Sequence, residues 1–108
     1  MLFVESPAFS RFVDEHVSDE ALAALQALLV ERPQAGNVIP GAQGLRKLRW
    51  GLGGRGKRGG ARVIYYYWVD QERIYLLFAY LKNVQSDLTP DQVKRLAAVM
   101  KQEVRDGG

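Results

Sequence analysis

The chain has 108 residues, 47% hydrophobic and 25% charged, which fits one soluble globular domain and leaves no room for a second. It contains no cysteine and one histidine, His16, which excludes disulfide frameworks, thiolate nucleophiles and His/Cys metal clusters. No apolar run approaches the ~20 residues of a membrane span, and Met1-Leu2-Phe3-Val4-Glu5 lacks signal-peptide character, so a cytoplasmic location without membrane association is expected.

Leu2-Phe3-Val4-Glu5 reads as a short strand. Ser6-Pro7 supplies an N-cap and a first-turn proline for a short helix reaching about Asp14. Ser18 caps a second helix, with Asp19 and Glu20 in its first turn and Leu22, Leu25, Leu28 and Leu29 on one face, and Arg32-Pro33 ends it. Pro33 to Gly44 is rich in proline, glycine and asparagine and reads as a loop. Alternation from Leu45 to Trp50 places Lys47 and Arg49 on one face of a strand and Arg46, Leu48 and Trp50 on the other, with Leu48 and Trp50 towards the core.

A glycine-rich basic connection, Gly51 to Gly60, leads into Ala61–Val69, whose β-branched and aromatic residues favour a strand. Asp70-Gln71-Glu72 turns the chain into Arg73–Leu81, giving an antiparallel hairpin. Thr89-Pro90-Asp91-Gln92 has capping-box spacing and opens a last helix whose buried stripe is Val93, Leu96, Ala97, Met100 and Val104. This order predicts an α+β domain: an N-terminal strand and two helices, a three-stranded antiparallel meander, and a C-terminal helix. Helices are needed on one sheet face, which leaves the other for basic side chains.

The net charge of +3 is unevenly distributed. Between Arg32 and Val69 there are eight basic residues, Arg32, Arg46, Lys47, Arg49, Arg55, Lys57, Arg58 and Arg62, and no acid. The seven basic and twelve acidic residues elsewhere leave the rest of the chain at −5. Clustered cations of this kind match a polyanion, because they displace condensed counterions from phosphates and steer encounter. Composition does not choose among RNA, DNA and an acidic protein.

Gly51-Leu52-Gly53-Gly54-Arg55-Gly56 matches G-x-G-x-x-G, and Gly51 to Lys57 matches the start of a P-loop. Arg58 stands where the P-loop needs Ser or Thr, and a strand follows where both motifs need a helix, so nucleotide binding is rejected. The glycines suit a hairpin connection, and Arg55, Lys57 and Arg58 make it a basic flap for an RNA backbone. His16 lies between two helices, away from the basic window. Alternation sends Tyr65 and Tyr67 into the core, and the carboxylate pairs Asp14/Glu15 and Asp19/Glu20 are explained by helix ends.

Three segments carry a family likeness: Gly44-Leu45-Arg46-Lys47-Leu48-Arg49-Trp50; Gly56-Lys57-Arg58-Gly59-Gly60-Ala61-Arg62-Val63-Ile64-Tyr65-Tyr66; and Ile74-Tyr75-Leu76-Leu77 with Tyr80-Leu81-Lys82-Asn83. Together they resemble the RelE superfamily of bacterial toxins, and within it the HigB type. The resemblance implies an mRNA interferase that enters the ribosomal A site and cuts the exposed codon without a metal or other cofactor. It also implies a neutralising antitoxin, a HigA-like helix-turn-helix protein, and the ribosome and mRNA as partners. Lys47, Arg49, Arg62 and Lys82 match the family's basic catalytic positions, with Arg46, Arg55, Lys57 and Arg58 as further RNA contacts.

In such a reaction the RNA 2′-hydroxyl attacks the adjacent phosphate, and fixed cations bind the charge developing on the non-bridging oxygens. Guanidinium groups suit that clamp, which points to Arg49 and Arg62. Lys47 and Lys82 are the candidates for a weak general base, since crowded cations lower one another's proton affinity. Some family members carry a tyrosine or histidine near the start of the last helix, whereas this chain has Asp87-Leu88-Thr89-Pro90. Two other readings stay open: a ParE-like inhibitor of DNA gyrase on the same architecture, and a non-catalytic RNA-binding module.

Overall fold

The computed structural model describes residues 1–52 and 60–107. Its elements are β1 (Leu2–Glu5), α1 (Pro7–His16), α2 (Asp19–Glu31), β2 (Asn37–Val38), β3 (Arg46–Trp50), β4 (Ala61–Trp68), a 3-10 turn (Val69–Gln71), β5 (Arg73–Leu81) and α3 (Pro90–Arg105). The α+β order expected from sequence is the observed one. The caps are also as expected. Ser6 and Ser18 accept hydrogen bonds from the first turns of α1 and α2, and Thr89 with Gln92 forms a complete capping box for α3.

The five strands form one sheet in the order β1-β5-β4-β3-β2. Strands β2 to β5 pair antiparallel, and β1 joins the far edge parallel to β5, which makes the sheet mixed. The Pro33–Gly44 loop contains β2, a two-residue strand pairing Asn37 with Lys47 and Val38 with Arg46. Helix α1 runs two residues past Asp14, to His16.

Alternation along β3 and β4 divides the side chains between two cores. Trp50, Ala61, Val63 and Tyr65 face α1 and α2 together with Phe9, Leu25 and Leu29, and Leu48 packs against them. Trp50 anchors this layer: its indole stacks on Phe9 with centroids 5.6 Å apart, and its Nε1 donates to Ala21 O at 3.1 Å. Burial of a large ring plus a satisfied N–H holds β3 firmly to both helices.

The opposite face is covered as well, against the expectation that it is left for basic side chains. Ile64, Tyr75, Leu77 and Tyr80 form a second core with Ala42 and Leu45 of the β2–β3 loop and Ala97 and Met100 of α3. The apolar stripe of α3 needs burial, and this face supplies it. Lys47, Arg49 and Arg62 lie on this face beside that cover, along a shared groove.

A β-bulge shapes this face. Ile64 pairs with Phe78 and Tyr65 with Leu76, so Leu77 is the extra residue on β5. Its carbonyl accepts from Ser6 Oγ at 2.7 Å, which ties the bulge to the start of α1. The inserted residue reverses the alternation beyond it, and Phe78 and Tyr80 therefore turn to the α3 side.

Candidate nucleic-acid interface

Register brings the predicted cations of the meander together. Arg49 pairs directly with Arg62, and Arg62 with Tyr80, forming a row across β3, β4 and β5 on the α3 side of the sheet. Lys47 stands two residues from Arg49 on the same strand face and pairs with Asn37 of β2. A groove of about 270 Å³ lies at this end of the sheet, lined by Ala35, Asn37, Lys47, Leu48, Arg49 and Arg62.

Lys82 follows the end of β5. Its backbone N–H donates to Gly60 O at 3.1 Å, so it stands beside the start of β4. Gly60 has φ +50, and a Cβ there would lie 2.9 Å from Trp50 O. Only glycine combines that conformation with so close an approach, and the contact keeps the ends of β3, β4 and β5 in one place.

Arg46 is not brought to this groove. It projects from the other face of β3, donating through Nη1 to Gly36 O at 2.8 Å and Gln34 O at 3.3 Å. Those bonds fasten the segment leading into β2. Tyr65 does the same from beneath: its hydroxyl donates to Pro33 O and accepts from Gly36 N, both at 2.8 Å. Residues Arg55, Lys57 and Arg58 lie outside the described residues.

Two residues outside the predicted set, Asp87 and Tyr80, stand beside these cations. Asp87 Oδ1 accepts from Lys47 Nζ at 2.9 Å and from Leu88 N at 2.8 Å. The Lys47 contact, helped by the Leu88 N–H and the charge of Lys82, holds the Asp87 carboxyl below its ordinary pKa. Burial pushes the Tyr80 phenol up, and the neighbouring Asp87 charge adds to this while Arg62 opposes it. Tyr80 is therefore a neutral donor at neutral pH.

Asp87 is itself fixed through the cap of α3. Gln85 Nε2 donates to Asp87 O at 2.8 Å and to Gln92 Oε1 at 2.6 Å, and Gln92 belongs to the capping box. The result is a cluster of cations with Asp87 held against one of them, Lys47. Such a set has the chemistry to hold a phosphate: guanidinium groups offer paired donors to its oxygens, and an ammonium adds charge.

Among the described residues no group of three His, Cys, Asp or Glu side chains is placed to hold a metal ion. No helix among them is long and apolar enough to cross a membrane. No protein-family model matches the chain. It is similar to a solved structure of E. coli toxin RelE, a double arginine-to-alanine mutant in the free state, with a TM-score of 0.55 and 14% identity over 92% of this chain and 95% of that one. Agreement over nearly the full length of both chains gives the protein a RelE-like fold.

Proposed function

We propose that the protein is a RelE-type toxin of the HigB kind, an endoribonuclease that cuts mRNA in the ribosomal A site and is neutralised by a HigA-like helix-turn-helix antitoxin in the cytoplasm. The observation that carries this reading is the meeting of Lys47, Arg49 and Arg62 along one groove, with Lys82 close enough to act on the same carboxylate as Lys47. The RelE-like fold supports it.

The step attributed to this site is attack of the RNA 2′-oxygen on the adjacent phosphorus. The 2′-oxygen–phosphorus bond forms as the bond from phosphorus to the 5′-oxygen breaks, leaving a cyclic 2′,3′-phosphate and a 5′-hydroxyl. One proton leaves the 2′-oxygen and one arrives at the 5′-oxygen. Arg49 and Arg62 hold the non-bridging oxygens, where negative charge grows, and so bind the transition state more strongly than the ground state. Lys47, oriented by Asp87, adds a third positive charge. Lys47, Lys82 and Tyr80 are the neighbouring groups able to exchange protons with the two reacting oxygens.

Primer extension on mRNA undergoing translation tests the assignment. Removing one preorganised stabiliser of a developing anion lowers turnover by roughly 100-fold or more. Arg62→Ala is expected to lose cleavage to that extent while remaining folded by circular dichroism. Unchanged cleavage by folded Arg62→Ala would reject the site. Gyrase inhibition in a supercoiling assay, without RNA products, would transfer the reading to the ParE-like alternative. Stable RNA binding without a cut would make the protein a binding module.

A further inference from the structure

A second groove adjoins the cationic one. It has a volume of about 340 Å³ and lies between β2 and the start of α3, with Val38, Ile39, Pro40, Leu88 and Val93 as apolar walls and Asn37, Lys47 and Asp87 at its polar side. Asn37 and Lys47 line both grooves, so the two are continuous along β2 and β3. Val38 is 54% exposed in the apolar wall. A strand of RNA whose phosphate lies against Arg49, Arg62 and Lys47 has its next base within reach of this second groove.

We propose that the groove between β2 and α3 is a nucleobase subsite that accepts the base neighbouring the bound phosphate and favours bases presenting an amino group to Asp87. The inference rests on the RNA reading of the cationic groove. An unstacked base presents an apolar face and a polar edge, and the groove offers aliphatic walls with a polar side. Both hydrogen bonds accepted by Asp87 fall on Oδ1, and its side chain is 64% exposed, which leaves Oδ2 with acceptor capacity. Its low pKa keeps the carboxylate ionised at neutral pH, so it accepts and never donates. Cytosine and adenine offer it an amino group; uracil and hypoxanthine present a carbonyl oxygen at the same ring position, which the carboxylate repels.

The test compares RNA hexamers of one base each, so that every register presents the same group. Binding to purified full-length protein is followed by fluorescence anisotropy over a range of salt. Oligocytidine is expected to bind about fivefold or more tighter than oligouridine, and oligoadenosine tighter than oligoinosine by a similar factor, since hydrogen bonds to charged groups discriminate at this level. Asp87→Asn supplies a donor as well as an acceptor and should bring both ratios within about twofold. Val38→Trp, which fills the groove from an exposed position, should also erase the ratios while leaving the salt slope set by phosphate contacts. Equal affinities of the wild-type protein for amino and carbonyl hexamers, with salt-dependent binding intact, would overturn the subsite and leave the RNA reading standing. Absence of salt-dependent binding to every hexamer would overturn the RNA reading, and the subsite with it.

Discussion

Tyr65→Phe removes one oxygen and tests how the groove is built. Tyr65 is fully buried, and its hydroxyl joins Pro33 O and Gly36 N, each at 2.8 Å. In the variant, the Gly36 N–H loses its partner in a buried position, and an unsatisfied buried donor costs about 1–3 kcal/mol. Pro33 O is only partly buried and regains part of its loss from water. A net destabilisation of about 2 kcal/mol follows, which for a domain of this size lowers the melting temperature by about 10 °C. Urea and thermal unfolding monitored by circular dichroism measure it. The same change loosens residues 33–36, which lead into β2 and the groove wall at Ala35 and Asn37, so RNA cleavage should fall as well. A destabilisation below about 0.5 kcal/mol would show that the hydroxyl is dispensable and refute the claim that Tyr65 holds this wall in place.

Arg49→Thr removes a like-charge pair facing Arg62 across β3 and β4; stability should rise by about 0.2–1 kcal/mol in urea unfolding while cleavage falls. Asp87→Asn should flatten the acid limb of the stability curve. Because the folded Asp87 pKa is depressed, its contribution is present above the ordinary carboxylate pKa of about 3.9 and lost as pH falls through the lower folded value. At 64% side-chain exposure the effect stays under about 1 kcal/mol, measurable by denaturation between about pH 5 and pH 2. Trp50→Phe removes the indole hydrogen bond to Ala21 O, which keeps its bond within α2, and should cost about 0.5–1.5 kcal/mol, read by the same unfolding assay.

Local chemistry made most elements legible. Ser6, Ser18 and Thr89 mark helix starts through their hydroxyls, and alternation in β3 separates Lys47 and Arg49 from Leu48 and Trp50, as observed. What stayed hidden depends on contacts distant in sequence. The parallel pairing of β1 with β5 joins residues about seventy positions apart. Strand β2 is two residues long and carries no strand signal of its own; Tyr65, Arg46 and the register of β3 hold it. Strict alternation along β5 places Tyr80 on the same face as Ile74 and Leu76, and the bulge at Leu77 reverses that parity and turns Tyr80 towards Arg62. The place of Asp87 beside the cations is hidden because its partner Lys47 lies forty residues earlier.

The sheet end that gathers the cations is also where local rules of sheet stability are broken. Directly opposed arginines repel, and Lys47 and Lys82 add to the same positive field. The fold tolerates this because the other faces of the same strands are strongly held: Trp50 is stacked and hydrogen-bonded, and Ala61 and Val63 are fully buried beneath α1 and α2. Asp87, held against Lys47 at 2.9 Å, relieves part of the repulsion. A ligand that brings several negative charges along the strands gains from each cation at once, while an isolated anion meets only part of the site. On the proposed function the arrangement therefore favours an extended polyanion over a single small phosphate, and the proposed subsite in the adjoining apolar groove would give preference to one whose charges alternate with flat, partly apolar rings.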